Sequence, residues 1–147
     1  MEPARAERLV VLTMRALAVT FAVVGLLFII TPNGVLGRID DVSNWIGSFP
    51  TAPQSDEKLW LALAFAYMTV ITGIALLVST NVGRYRPFLL VLAAGKAASS
   101  LAAGAFFVFG TNVFIYLLNF LVDGSLVLIV LGCWAISAPL ERRVAPT

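Results

Sequence analysis

Two charged residues stand where the chain otherwise carries hydrocarbon. Lys96 lies in Gly95-Lys96-Ala97-Ala98-Ser99-Ser100 and Asp123 in Asn119-Phe120-Leu121-Val122-Asp123-Gly124, each in the middle of a long apolar run. A full charge at bilayer depth costs at least about 2.5–3.5 kcal/mol on insertion scales, so such groups are partnered or functional. Helical spacing gathers further polar groups beside each charge. Tyr116, Asn119 and Asp123 share a face at i, i+3, i+7, and Leu92, Lys96, Ser99 and Ser100 share another. Tyr67, in a separate apolar run, enters at a similar depth. The expected cluster is therefore Lys96, Asp123, Asn119, Ser99, Ser100 and Tyr67. Three uses fit it: a satisfied ion pair that registers neighbouring helices, a proton or substrate path built on Asp123, or contact with a larger partner complex or a bound lipid.

Other chemistry has little to stand on. The chain has no histidine and one cysteine, Cys133. A lone cysteine closes no internal disulfide, and the commonest haem, zinc and iron ligand is missing. No metal site and no cofactor are expected. Asp40-Asp41 are adjacent carboxylates, which diverge by about 100° on a helix; a solvated polar face accounts for them. There is no Walker A loop, no dinucleotide GxGxxG, no HExxH and no GxSxG. Cys133 is expected to pack as a small apolar residue.

Those charges must be positioned by elements that a bilayer accepts. The 147 residues are 60% hydrophobic and 12% charged, with mean hydropathy +0.95. A soluble domain this short has too much surface for its volume to bury so much apolar area, whereas a bilayer absorbs it. The net charge of +2 comes from arginines in short clusters flanking apolar runs, a topology signal rather than a nucleic-acid surface.

Four spans follow, from about Val11 to Thr31, Leu59 to Ser79, Pro87 to Phe109 and Val113 to Ile136. The first has a basic start but no small-residue cleavage pattern, so an uncleaved helix is expected rather than a signal peptide. Arg15 lies one turn inside it and can snorkel to the headgroups. Pro32-Asn33-Gly34 stops this span. In the connection over 32–57, Val35, Leu36, Ile39, Val42 and Ile46 keep helical spacing opposite Asp40, Asp41 and Asn44. That pattern predicts a short amphipathic helix from about Gly34 to Gly47, lying in the interface and covering the outer end of the bundle. Ser48-Phe49-Pro50-Thr51-Ala52-Pro53 reads as an extended strap. Ser55 is the expected N-cap of the second span.

The third span is the expected centre of the bundle. Gly95-xxx-Ser99-xxx-Ala103 is a small-xxx-small row that lets backbones approach, and Gly124 is small on the facing span. Gly110-Thr111-Asn112 is so short that spans three and four must be antiparallel neighbours. Lys96 is then about 20 Å from the outer boundary and Asp123 about 15 Å, a difference of about one helical turn. Trp45, Trp60 and Trp134 are expected as interface anchors. Arg5, Arg8, Arg15, Arg84, Arg86, Arg142 and Arg143 fall on one side, and Arg38 and Lys58 on the other. Both termini are therefore expected in the cytoplasm.

The layout, four short spans with one longer amphipathic connection after the first, is similar to the DoxX-like group of small bacterial membrane proteins. The likeness is one of layout and carries no residue roles.

The expected fold is an all-α, integral membrane four-helix bundle in a single domain, residues 1–147, with a short amphipathic interfacial helix between spans one and two. The expected function is that of a small non-catalytic membrane protein, an accessory or structural subunit. Its partners would be the lipid bilayer and other membrane subunits or further copies of itself, and not nucleic acid. The alternative is a small transporter or proton-coupled carrier using Lys96 and Asp123. An enzyme acting on a lipid-soluble substrate comes third.

Overall fold

The computed structural model describes residues 2–141, and all of the regular structure in them is helical. Seven helices follow in order: α1 (Pro3–Ile30), α2 (Pro32–Ile46), α3 (Lys58–Thr80), α4 (Val82–Tyr85), α5 (Pro87–Phe109), α6 (Phe114–Ile136) and α7 (Ala138–Glu141). The four long helices α1, α3, α5 and α6 are each long and apolar enough to cross a membrane. Only 17 to 33% of their most apolar stretches is buried within the molecule, so most of that apolar surface faces outward.

Local sequence explains the breaks. α1 begins at Pro3, several residues before the apolar run, because Pro at the first helical position needs no N–H partner. It ends at Thr31, which leaves helical geometry at φ −137°, ψ 57°. Both the Thr31 amide and its hydroxyl donate to the Leu27 carbonyl, at 2.9 and 3.2 Å. Pro32 has no N–H with which to continue that ladder. It opens α2 instead, so Pro32-Asn33-Gly34 form the first turn of the amphipathic helix rather than a gap before it. Between α3 and α5, Asn81 accepts from the Arg84 amide at 3.0 Å and folds the basic turn into α4.

Ser55 does not cap α3. Glu57 holds that position and makes no side-chain cap bond. The reason lies in α2. Asn33 accepts from the Ser55 amide at 2.8 Å and donates to Asp56 Oδ1 at 3.1 Å, drawing the strap away from the start of α3. Asp40 acts the same way further along: both carboxylate oxygens accept from the Ala52 amide, at 3.2 and 3.1 Å. Asp41 is exposed, but Asp40 is an anchor for the strap and not merely part of a solvated face. Phe49 of the strap meets Phe114 at the start of α6, ring centres 5.2 Å apart.

α1 packs chiefly along α3, and α5 along α6; the two pairs meet more sparsely between α3 and α5 and between α1 and α6. Small residues permit the close pairing. A Cβ on Gly25 of α1 would stand 2.9 Å from Met68 Cβ, and one on Gly104 of α5 would stand 2.8 Å from the Phe120 ring. Of the fully buried side chains, Val10, Met14, Val78, Val82, Leu89 and Val130 lie toward the end that carries α4 and α7, whereas Val113 and Ser43 belong to the other end. Dispersion contacts among such side chains are what bind apolar helices in lipid, where water provides no drive. Toward the opposite end, under α2, packing opens. The apolar face of α2 (Val35, Ile39, Val42, Ile46) lines a groove of about 790 Å3 bordered by Leu27, Phe114 and Leu118, rather than closing over the bundle.

Candidate functional site at Lys96 and Asp123

α5 is built largely of Gly, Ala and Ser on the sides it turns to its neighbours, so a long side chain at position 96 has room to lie inside the bundle. Asp123 stands midway along α6, the antiparallel partner. Lys96 Nζ lies 2.9 Å from Asp123 Oδ1, and the two side chains are only 5 and 6% exposed. A charge-assisted hydrogen bond in so dry a place is strong, but desolvation offsets much of it, so its chief effect is to specify which faces meet.

The ammonium touches more than its counter-ion. It lies 4.8 Å from the centre of the Phe21 ring of α1 and 5.7 Å from that of Tyr67 of α3. One side chain of α5 thereby meets all three other long helices. Phe21 is the member that spacing could not have singled out, since it stands in a largely apolar run with nothing to distinguish it from Leu17 or Val24.

The other candidate residues divide. Asn119 donates to Ser99 Oγ at 3.3 Å, a second polar contact between α5 and α6. Ser100 is buried and donates to the Phe120 carbonyl at 2.8 Å, so its hydroxyl serves the hairpin and not the ion pair. Tyr67 joins through its ring; its hydroxyl is buried and has no hydrogen-bond partner among the described residues. Tyr116 shares the Asp123 face but pairs its ring with Phe106, centres 5.8 Å apart.

Gly95 faces α3: a Cβ there would stand 3.2 Å from the Tyr67 hydroxyl. One on Gly124 would stand 3.2 Å from Ser100 Oγ. Ala103 is buried. Of the four residues read as interface anchors, Trp45, Trp60 and Arg15 are exposed. Trp134 is half-buried, with the Arg86 guanidinium 4.3 Å above its ring and Arg86 Nε donating to its carbonyl at 3.1 Å. Arg86 itself is buried, a role its place in a basic turn does not reveal.

Beside the pair lies a cavity of about 290 Å3 that reaches α1, α3, α5 and α6. Lys96, Asp123, Asn119, Ser99 and Tyr67 all border it. Among the described residues no group of three or more Cys, Asp or Glu side chains is placed to hold a metal. The arrangement can hold helices in register, accept a polar group in an apolar surrounding, or hold a proton between a carboxylate and an amine.

Fold and site together define an all-helical protein with four candidate membrane-spanning helices, compatible with a multi-pass membrane protein. No family model matches the chain, and no curated protein and no solved structure matches it.

Proposed function

We propose that the chain is a small, non-catalytic integral membrane protein that serves as an accessory or structural subunit, with Lys96–Asp123 as the tie that holds its helices in one arrangement. The observation that carries this reading is the place of the Lys96 ammonium. It is bound to Asp123 and lies against Phe21 and Tyr67, so α1, α3 and α6 all converge on one buried side chain of α5. A subunit whose outer faces must suit both lipid and neighbouring spans needs such an internal register, because lipid-facing packing alone is poorly specifying. The outward apolar surface of all four long helices supports the membrane setting, and the arginine distribution supports cytoplasmic termini.

Extraction in mild detergent followed by co-purification tests the reading. An accessory subunit emerges with a larger partner or as an oligomer; a lone monomer in every mild detergent tried would overturn it. For orientation, thiol labelling of intact cells should reach Arg38→Cys and spare Arg84→Cys, both made in a Cys133→Ser background.

A second reading rests on the cavity beside the pair. A small transporter or proton-coupled carrier would use Asp123 as the titrating group and Lys96 as its resting counter-ion. Asp123→Asn would then abolish movement of substrate while leaving assembly with partners intact. The subunit reading expects the reverse, a loss of assembly.

A further inference from the structure

Polar groups at the centre of the bundle are out of balance. Lys96 offers three N–H donors, and Asp123 is its single hydrogen-bond partner among the described residues. Around the remaining donors are the faces of Phe21 and Tyr67. The Tyr67 hydroxyl is a further donor, buried and unmatched. Leaving buried donors unmatched is unfavourable, and native interiors do so seldom.

These donors border the same cavity, whose remaining wall is largely apolar and includes Phe21, Phe28 and Phe65. Ala64 and Val122, also on its wall, are exposed on the flank of the bundle, so the cavity reaches the surface that the apolar helices turn outward. Its volume of about 290 Å3 lies at the lower edge of small-molecule sites, which run about 300–1,000 Å3. That suits a ring system the size of benzophenone or fluorenone and not a whole lipid. Since Lys96 and Asp123 neutralise each other, the site favours a dipole over an ion.

We propose that this cavity binds a neutral aromatic carbonyl compound drawn from the membrane. Its oxygen accepts from Lys96 and from the Tyr67 hydroxyl, and its ring lies against Phe21 and Phe65. The proposal rests on the membrane reading of the four long helices but not on the subunit role: a chain that purifies alone still binds the compound if the site exists, so the two fail separately.

Benzophenone is a suitable probe, because it is an aryl ketone that inserts into nearby C–H bonds on illumination. The full chain in lipid nanodiscs is labelled and the adducts are mapped by peptide mass spectrometry. The expected adducts fall on peptides carrying Phe21, Phe65 or Met68. Fluorenone should protect them at least about 10-fold better than fluorene, its counterpart without the oxygen, the value of one hydrogen bond from a charged donor. Tyr67→Phe should shrink that preference. Labelling spread evenly over outward residues such as Leu101 and Leu128 overturns the proposal. Equal protection by fluorene, or water alone filling the cavity with no protection by either compound, overturns it too. Should Tyr67→Phe fail to accumulate, the fluorenone-to-fluorene preference of the unaltered chain decides.

Discussion

Lys96 Nζ lies 4.8 Å from the centre of the Phe21 ring, and that contact crosses from one helix pair to the other. Within α5 and α6 the pair with Asp123 reinforces a hairpin that a short turn already enforces. Across to α1 there is no such turn. A cation over an aromatic face is worth about 0.5–2 kcal/mol, more when dry, so the ammonium contributes directly to docking of the two pairs.

Removing one charge of the pair should be worse than removing both. Asp123→Leu leaves an ammonium without its counter-ion, and Lys96→Met leaves an orphaned carboxylate; losing one partner of a buried pair costs about 3–5 kcal/mol. The double variant Lys96→Met/Asp123→Leu should recover at least half of that, since it leaves no uncompensated charge. Unfolding in mixed detergent micelles, followed by circular dichroism, provides the comparison. Equal stability of all four proteins would remove the pair from any structural role.

Gly104 should tolerate no side chain where Gly132 does. A Cβ at 104 would stand 2.8 Å from the Phe120 ring, while at 132 nothing lies within 4 Å. Gly104→Ala is expected to destabilise by about 1–3 kcal/mol through overpacking. Gly132→Ala should be neutral or slightly stabilising by helix propensity. The same unfolding assay reads both, and a similar loss at the two sites would contradict the packing of α5 on α6.

Arg86→Lys should behave as a real loss despite keeping the charge. The planar guanidinium stacks over Trp134 while its Nε donates to the Trp134 carbonyl, and a compact ammonium cannot do both at once. A loss of about 1–2 kcal/mol is expected, with a change in Trp134 fluorescence. In a background where Trp45 and Trp60 are phenylalanine, Trp134 alone reports.

Asp40→Ala should release the strap without unfolding the bundle. The Ala52 amide loses both of its acceptor oxygens. Hydrogen exchange at Ala52 should rise by about tenfold, corresponding to about 1.4 kcal/mol, while amides in the middle of α5 stay protected. Protease sensitivity within residues 47–57 should rise in parallel. Asp41→Ala, at an exposed position, serves as the control and should change neither.

Much of the architecture is legible in the chain because it depends on local composition. Hydropathy over a long window marks four helices, Thr31-Pro32 breaks α1 from α2, and helical spacing of apolar residues opposite acidic ones marks α2 as amphipathic. The small residues of α5 and the short hairpin before α6 are likewise visible. The strap is not legible at Ser55, because a capping preference is weak and the Asn33 side chain, distant in sequence, claims the Ser55 amide. The anchoring role of Asp40 is hidden for the same reason: which of two adjacent carboxylates meets a backbone N–H depends on where the strap returns.

Sequence alone determined that α1, α3, α5 and α6 are helices of spanning length, since that follows from consecutive apolar residues and the need to satisfy every backbone N–H and C=O internally. It also determined that Lys96 and Asp123 stand near mid-helix. Tertiary structure decided what surrounds them: the Phe21 face, the Tyr67 hydroxyl in the notch beside Gly95, and the cavity between the helix pairs. The physical reason is rotational. Helical spacing orders side chains about their own axis, but how far each helix turns toward its neighbours is set by the packing of all four, and no single stretch of chain contains that information.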